Sequence, residues 1–238
     1  MLADSSQSAW AGRLDKEIHL PSTARIEIVY FIAQELPRWR DHPERKAVLG
    51  ENKLTSQLCE HLSSAATYSP VWSHLQFRTE IADETNSGRS IDLAPKPRAT
   101  TFIIEGRRHC QFDAIFPIEC KRLPTPKEKG RDEREYVITE SGTTGGIQRF
   151  KLGHHGASHK FAAMIAYIQE RSFSDWVNQV NTWIHELSMV SDSIWSDSDV
   201  LSTHDNGPVA EVCMLYSTHV RPMDLGECEI RHMWINMN

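Results

Sequence analysis

The chain has 238 residues and a formal net charge of −6, with 39% hydrophobic and 24% charged residues, as is ordinary for a soluble globular protein with a core of its own. Its five cysteines are scattered and never spaced as Cys-x-x-Cys. This argues against a disulfide framework and a cysteine zinc site, and favours a reducing compartment.

The chain contains no stretch typical of a secreted or membrane protein. The first twenty residues have no basic start followed by an apolar run, so we expect no signal peptide. The longest mostly apolar run, FAAMIAYI at 161–168, is too short to cross a bilayer. We therefore expect a cytoplasmic protein without a membrane partner.

The charges are unevenly spread along the chain. Between Arg89 and Lys160 there are 14 Lys and Arg residues against 9 Asp and Glu, whereas the remainder carries an acidic excess. A basic segment in an acidic protein is consistent with a polyanionic partner, although a chance fluctuation on a solvated surface gives the same pattern.

The N-terminal part, residues 1–66, is predicted to be helical. A Ser-Thr pair at 22–23 can cap a helix that runs through ARIEIVYFIAQEL and ends at Pro37. A second helix is expected from near Pro43 to residue 66. Its buried face is a stripe of leucines: Leu54, Leu58 and Leu62.

Strands are predicted in the core part, residues 67–170. The stretch 75–81 alternates between apolar and polar side chains, as in a half-buried strand. Further strands follow at 89–95 (RSIDLAP, broken by APKPR), 100–106 (TTFIIEG) and 111–123 (QFDAIFPIECKRL), with a turn at GRR before the last. The charged, Gly- and Pro-rich stretch 124–146 is predicted to be a long loop.

Helices and then strands complete the predicted fold. Residues 147–170 are expected to be mainly helical with a break around Gly153–Gly156, and 174–187 forms an amphipathic helix. Within the C-terminal part, 171–238, two strands are expected near AEVCMLYST and CEIRHMWINM. The order predicts an α/β or α+β domain with a central mixed sheet flanked by helices.

The most informative stretch is FPIECKRL at 116–123, an apolar strand that carries Glu119 and Lys121 on one face. Burying such charges is costly unless each is paired. The strand therefore either contains a structural ion pair or presents chemistry at a cleft. In the preceding RSIDLAP strand, Asp92 points away from its apolar neighbours Ile91 and Leu93.

These residues have the chemistry of a hard-metal site. Asp92 and Glu119, on adjacent strands, can converge on one Mg²⁺ ion, and the peptide carbonyl of Cys120 can add a third oxygen. Such an ion lowers the pKa of a bound water and neutralises charge on a phosphoryl oxygen. Lys121 would hold the attacking water and stabilise the transition state.

The pattern Asp92…Glu119-x-Lys121 resembles the core motif of the PD-(D/E)XK nuclease superfamily, which has the restriction-endonuclease-like fold. Helical Glu51 matches the glutamate that many members place on the helix before the core sheet. GIQRF at 146–150 resembles the helix after the motif, in which a glutamine and a basic residue face the active site. The resemblance covers roughly residues 43–170, and the layout is similar to that of bacterial members found in restriction and phage-defence systems.

The resemblance implies a Mg²⁺-dependent deoxyribonuclease, in which Mn²⁺ can replace Mg²⁺. It implies one nuclease domain over 1–238 that acts on DNA in bacterial defence or DNA processing, as a homodimer or with a partner protein of a defence complex. The implied catalytic residues are Asp92, Glu119 and Lys121. The implied metal ligands are Glu51, Asp92, Glu119 and the carbonyl of Cys120, and the implied substrate contacts are Gln148, Arg149 and Lys151.

Three alternatives stay open from the sequence. Asp113 competes with Asp92, but on one extended strand it would lie ~20 Å from Glu119 at roughly 3.3 Å per residue, too far for one metal unless a bulge or turn intervenes. His155 and His159 have the spacing of a zinc pair, but no third ligand has fitting spacing, which favours surface histidines beside a basic groove. A catalytically silent nuclease-like module that binds nucleic acid or a partner protein also explains the motif.

Overall fold

The computed structural model describes residues 17–83, 88–127, 131–139, 145–203 and 211–238. Within these ranges the helices are α1 (Ala24–Arg40), α2 (Glu51–Tyr68), α3 (Gly146–Lys151) and α4 (Phe173–Ser188). The strands are β1 (Glu17–Leu20), β2 (Leu75–Ala82), β3 (Ser90–Pro97), β4 (Thr101–Ile104), β5 (Arg107–His109), β6 (Ile118–Leu123), β7 (Phe161–Ile168), β8 (Ser202–Thr203), β9 (Val212–Val220) and β10 (Glu227–Asn236).

The central sheet of the described chain has seven strands in the order β2-β3-β6-β7-β10-β9-β8. Strands β6, β7 and β10 run parallel to one another, and the remaining neighbours pair antiparallel. A smaller sheet, β1-β4-β5, is also mixed, because β1 pairs parallel and β5 antiparallel with β4. The prediction of a mixed α/β fold with flanking helices is thereby confirmed.

Two hydrophobic clusters cover the central sheet, one on each face. Ile165 and Tyr167 of β7 belong to the cluster that contains the buried residues of α1 and α2. Met164 and Ala166, which alternate with them, belong to the cluster that contains the buried residues of α4. Since successive side chains of a strand point to opposite faces, β7 is buried on both sides. No helix in the described ranges combines the length and apolar character needed to cross a membrane.

The helix predicted over 147–170 is wrong beyond Lys151, where α3 ends. Residues 161–168 form the central strand β7 instead. Because both faces of β7 are covered, the sequence FAAMIAYI is apolar throughout and has no alternation. Periodicity alone cannot distinguish such a run from a buried helical segment.

The first two helices differ from the prediction at one end each. α1 continues through Pro37 to Arg40. Proline forfeits one helical hydrogen bond there, but the buried Trp39 keeps the last turn packed. α2 begins at Glu51 rather than near Pro43, after Gly50 in an extended conformation, and its leucine stripe is buried as predicted.

The strand predicted over 111–123 forms only at Ile118–Leu123, since residues 110–117 form turns and bends. The predicted turn at GRR contributes to β5, and β3 continues to Pro97 through the expected break. Asp113 lies in the turn, where its Oδ2 accepts a hydrogen bond from the Cys110 N–H at 2.8 Å. Asp113 and Glu119 therefore do not lie on one extended strand, and the distance of ~20 Å expected from roughly 3.3 Å per residue does not apply to them.

Candidate active site

The candidate site lies in a gap between β3 and β6. The two strands share one ladder pair, Leu93 with Ile118, and separate toward the carboxyl end of β6. The Pro117 carbonyl accepts a hydrogen bond from β7, at 3.0 Å. The N–H and C=O of one strand residue point to the same side, and the side alternates along the strand. Cys120 and Arg122 therefore direct their peptide groups into the gap.

Two carboxylates occupy this gap where a neighbouring strand would continue the ladder. Asp92 Oδ2 accepts a hydrogen bond from the Cys120 N–H at 2.8 Å. Glu51 Oε2, from the first residue of α2, accepts one from the Arg122 N–H at 3.0 Å. The acids thus satisfy backbone donors that would otherwise be left unpaired by the divergence of the strands.

Lys121 is the cation at the centre of the group. Its Nζ lies 2.9 Å from Glu119 Oε1, 3.2 Å from Glu51 Oε1 and 4.0 Å from Glu135 Oε1. Burial would lower the pKa of Lys121, but the negative charges of Glu119, Asp92 and Glu51 outweigh burial and raise the pKa well above its usual value. The side chain therefore stays an ammonium at neutral pH, able to donate hydrogen bonds but unable to accept a proton from water.

Glu119 is fully buried and ionised. Burial would raise its pKa, but Lys121, His155 and Arg149 together hold the pKa well below its usual range. Arg149 Nη1 donates a hydrogen bond to Oε1 at 2.5 Å. Oε2 has no hydrogen-bond partner among the described residues, and His155 Nδ1 lies 3.4 Å from it.

The pKa of Asp92 is shifted in the opposite direction to that of Glu119. Burial and the charge of Glu119 raise its pKa to about 7, more than Lys121 and the Cys120 N–H lower it. Two neighbouring carboxylates therefore have pKa values displaced in opposite directions, a property that is common at functional sites.

The donor chemistry at the gap fits a hard divalent cation through Asp92, Glu119 and the Cys120 carbonyl. A cation there would give the free Glu119 Oε2 a partner and offset the repulsion between the two carboxylates. Across the described ranges, no group of three or more His, Cys, Asp or Glu side chains is arranged to hold a metal ion. A third protein oxygen would therefore come from the backbone.

Glu51 contributes to the site in a different way from the predicted one. Both of its oxygens are engaged, Oε1 by the Lys121 ammonium and Oε2 by a peptide N–H. These contacts suit a residue that positions Lys121 better than a direct metal ligand.

α3 brings Arg149 to Glu119. The start of α3 packs closely on the segment 131–139, and a Cβ on Gly145 would lie 2.5 Å from the Cα of Ile138. Only glycine allows this approach. Gln148 Oε1 accepts a hydrogen bond from the Thr139 N–H at 3.2 Å, so its side chain ties α3 to the same segment.

Lys151 lies in another cluster. Its Nζ is 2.8 Å from Asp199 Oδ2, and it donates a hydrogen bond to the Val220 carbonyl at 3.3 Å. Two residues along a helix turn by about 200°, so Arg149 and Lys151 cannot face the same site. The contacts of Lys151 give no support to its predicted role in substrate binding.

Sequence reasoning missed two residues of the group. Glu135 was part of the predicted loop, and its Oε2 pairs with Arg131 at 2.6 Å while Oε1 lies near Lys121. The sequence favours His155 as a surface histidine beside a basic groove, or as half of a zinc pair, but it is buried. No spacing in the sequence connects either residue with Glu119, because turns of irregular length bring them there.

Two clefts give solvent access to Asp92 and Glu51. One, of about 250 Å³, lies beside Asp92 and Glu51 and is bounded by Thr79 and Ser90. The other, of about 620 Å³, also borders Glu51 and extends to Arg122. Asp92 and Glu51, both partly exposed, can therefore meet a ligand, whereas Glu119 is fully buried and lines neither cleft.

The resemblance to the PD-(D/E)XK superfamily depends on the motif residues. Comparisons of the chain with models of protein families, with curated proteins and with solved structures found no match. We therefore infer the function of the protein from the chemistry of the site.

Proposed function

We propose that the protein is a Mg²⁺-dependent nuclease of the PD-(D/E)XK type that hydrolyses phosphodiester bonds of DNA. The observation that carries the proposal is the convergence of Asp92, Glu119 and Lys121 at the gap between β3 and β6. A structural ion pair would be complete with Glu119 and Lys121 alone. Asp92 adds a second, partly buried carboxylate whose pKa of about 7 reflects a cost to the fold, and a catalytic metal site explains that cost.

The proposed roles follow from the contacts. Asp92, Glu119 and the Cys120 carbonyl would hold the ion, with Mn²⁺ able to replace Mg²⁺. When bound, the ion would lower the pKa of a water and neutralise charge on the phosphoryl group. Lys121, held by Glu51, would donate hydrogen bonds to the attacking water or to a phosphate oxygen and stabilise the transition state.

Arg149 is the residue that we assign to the phosphate. Its Nη1 contacts Glu119, whereas its buried Nε has no hydrogen-bond partner among the described residues. A guanidinium with an unused donor beside the catalytic acids suits a phosphate oxygen. Gln148 would act with it by fixing α3 to the segment 131–139.

The setting of the activity is proposed from the composition of the chain and from the resemblance. The five free cysteines favour a cytoplasmic location, and the basic segment between Arg89 and Lys160 favours a nucleic-acid substrate. DNA as the substrate, a role in bacterial defence or DNA processing, and a homodimer or defence-complex partner follow from the resemblance.

The test is cleavage by the purified protein of supercoiled plasmid, linear duplex DNA and RNA, in Mg²⁺, Mn²⁺ or EDTA. We expect metal-dependent cutting of DNA, and conversion of the supercoiled plasmid to nicked or linear forms would identify an endonuclease. Cutting in EDTA, or of RNA alone, would contradict the proposal.

A catalytically silent module is the second candidate. It is favoured by the state of Glu119 Oε1, which already lies against two cations, Lys121 and Arg149. Such a module would bind DNA equally well in Mg²⁺ and EDTA, melt at one temperature in both, and cut nothing.

A further inference from the structure

A pocket of about 540 Å³ lies beyond the carboxyl end of β6. Its volume falls within the range of about 300–1,000 Å³ that is typical of small-ligand sites. Three cationic side chains and two indoles are in its lining: Arg122, Lys127, Arg171, Trp176 and Trp183. We call it the stacking pocket.

The stacking pocket shares a wall with the candidate active site. Arg122 follows Lys121 in β6 and borders both the pocket and the cleft at Glu51. Arg122 Nη1 and Gln169 Nε2 both donate hydrogen bonds to the Leu49 carbonyl, at 2.8 Å and 3.2 Å. From Cys120 in the gap to Arg122 is about 7 Å at roughly 3.3 Å per residue. A nucleic-acid strand bound at the acids would therefore reach Arg122 within about one nucleotide.

A flat cationic surface lies at the edge of the pocket. The guanidinium carbon of the exposed Arg171 lies 5.3 Å from the centre of the Trp176 ring. Trp176 is fixed by a hydrogen bond from its Nε1 to the Glu170 carbonyl at 2.7 Å, and its ring centre is 6.3 Å from that of Trp183. Unpaired bases stack on guanidinium planes. Both indoles are buried, at 4% and 6% exposure, so the guanidinium of Arg171 is the stacking surface that a base can reach.

The remaining lining suits a nucleobase better than a bare phosphate. Gln169 and Gln179 offer amide donors and acceptors for the edge of a base. Glu133 and Glu170 also line the pocket, so that three cationic side chains face two carboxylates. The small positive excess fits one nucleotide with its phosphate.

We propose that the stacking pocket binds an unpaired nucleotide of the substrate strand next to the scissile phosphate. The substrate class is then nucleic acid with a single-stranded end, a flap or a frayed base. A base inside a duplex cannot enter such a pocket, because its faces and its pairing edge are occupied. The connection to cleavage rests on the proposed nuclease function, whereas nucleotide binding in the pocket does not.

The test is fluorescence anisotropy of labelled oligothymidine and of a duplex of equal length, in EDTA, with the full-length protein. The variants are Arg171→Glu and Gln179→Ala. The matched control is Lys160→Glu, an exposed cation just before β7, roughly 30 Å along the chain from Gln169 at about 3.3 Å per residue.

We expect the wild type to prefer the single strand, and Arg171→Glu to weaken that binding by about fivefold or more while Lys160→Glu changes it by less than about twofold. Gln179→Ala should reduce the preference for the single strand. Equal losses from both charge reversals, no loss from Arg171→Glu, or no single-strand binding by the wild type would overturn the proposal.

Cleavage in Mg²⁺, measured separately on flapped and blunt duplexes, distinguishes the two proposals. If the wild type cuts DNA and Arg171→Glu binds single strands normally, only the pocket assignment fails. If nothing is cut but Arg171→Glu loses single-strand binding, the nuclease proposal fails and the pocket stands as the binding site of a silent module.

Discussion

Asp92 accepts the peptide N–H of Cys120 at 2.8 Å, so that a carboxylate stands where the β3–β6 ladder would continue. The contact holds a second, partly buried acid beside Glu119, at a cost that appears as the raised pKa of Asp92.

Replacing Asp92 with Asn should stabilise the metal-free protein. The pKa of about 7 in the folded state lies above the ordinary 3.8, so the fold binds the proton more tightly than the unfolded chain. The contribution of Asp92 to the free energy of unfolding therefore falls as the pH rises from about 4 to about 7, and it stays constant above about pH 7. Asn keeps the acceptor for the Cys120 N–H without the charge. Thermal melting in EDTA should therefore show Asp92→Asn more stable near pH 8, by up to about 4 kcal/mol, and little changed near pH 4.

Asp113→Asn is the control, because Asp113 also accepts a backbone N–H at 2.8 Å but lies in a turn outside the gap. If Asp92→Asn and Asp113→Asn change the stability with the same pH dependence, the position of Asp92 in the gap is not the cause of that dependence. Added Mg²⁺ should stabilise the wild type and not Asp92→Asn.

Glu119→Gln should destabilise the fold by about 3–5 kcal/mol, because it leaves Lys121 and Arg149 without their buried counter-charge. The pKa of Glu119 is lowered, so its contribution to stability is present above the usual carboxyl pKa and is lost as pH falls. Urea denaturation at neutral pH measures the loss.

Glu35→Gln is a suitable comparison, because Glu35 is also buried but pairs with Arg38, whose side chain is 68% exposed, and with His61. Its loss should cost less than that of Glu119. Equal costs for the two changes would mean that the site cations are not held by Glu119.

Lys121→Met should lower the cleavage rate by about 10²-fold or more, because it removes an ammonium that stabilises the transition state. Mg²⁺ binding, measured by calorimetry, should be kept or tightened, since one positive charge is lost. Lys53→Met is the control, because Lys53 is exposed on α2 beside the cleft of about 620 Å³ that borders Glu51. This change should leave the cleavage rate unchanged. A normal rate in folded Lys121→Met would exclude Lys121 from the chemistry.

Lys151→Met should destabilise the protein without changing cleavage per folded molecule, because Lys151 pairs with buried Asp199. Asp199 Oδ1 also lies 2.9 Å from His219 Nδ1, within a buried polar network. Arg149→Met should instead reduce cleavage. Kinetics normalised to the folded fraction test the contrast, and a cleavage defect specific to Lys151→Met would restore its predicted substrate role.

The motif residues could be placed from the sequence because a strand has a fixed period of two. That period put Glu119 and Lys121 on one face, and it put Asp92 opposite its apolar neighbours. The contribution of Glu135 depends on turns in 131–139, for which no periodic rule exists. The angle of about 200° between Arg149 and Lys151 was available from helix geometry and excluded a shared site.

The elements that the sequence missed lack a local signal. β7 shows no alternation of apolar and polar residues, because both of its faces are buried. β1 has only four residues and is defined by its pairing with β4, which is distant in the chain. The start of α2 at Glu51 matters most for the site, since it places that carboxylate at the gap.

The rate of plasmid cleavage in Mg²⁺, compared between the wild type and Asp92→Asn, tests the central claim most directly. Melting curves would first establish that the variant is folded, which its retained hydrogen bond to Cys120 favours. The account predicts cutting by the wild type that stops in EDTA and is lost in Asp92→Asn. Cutting by folded Asp92→Asn at the wild-type rate would contradict it.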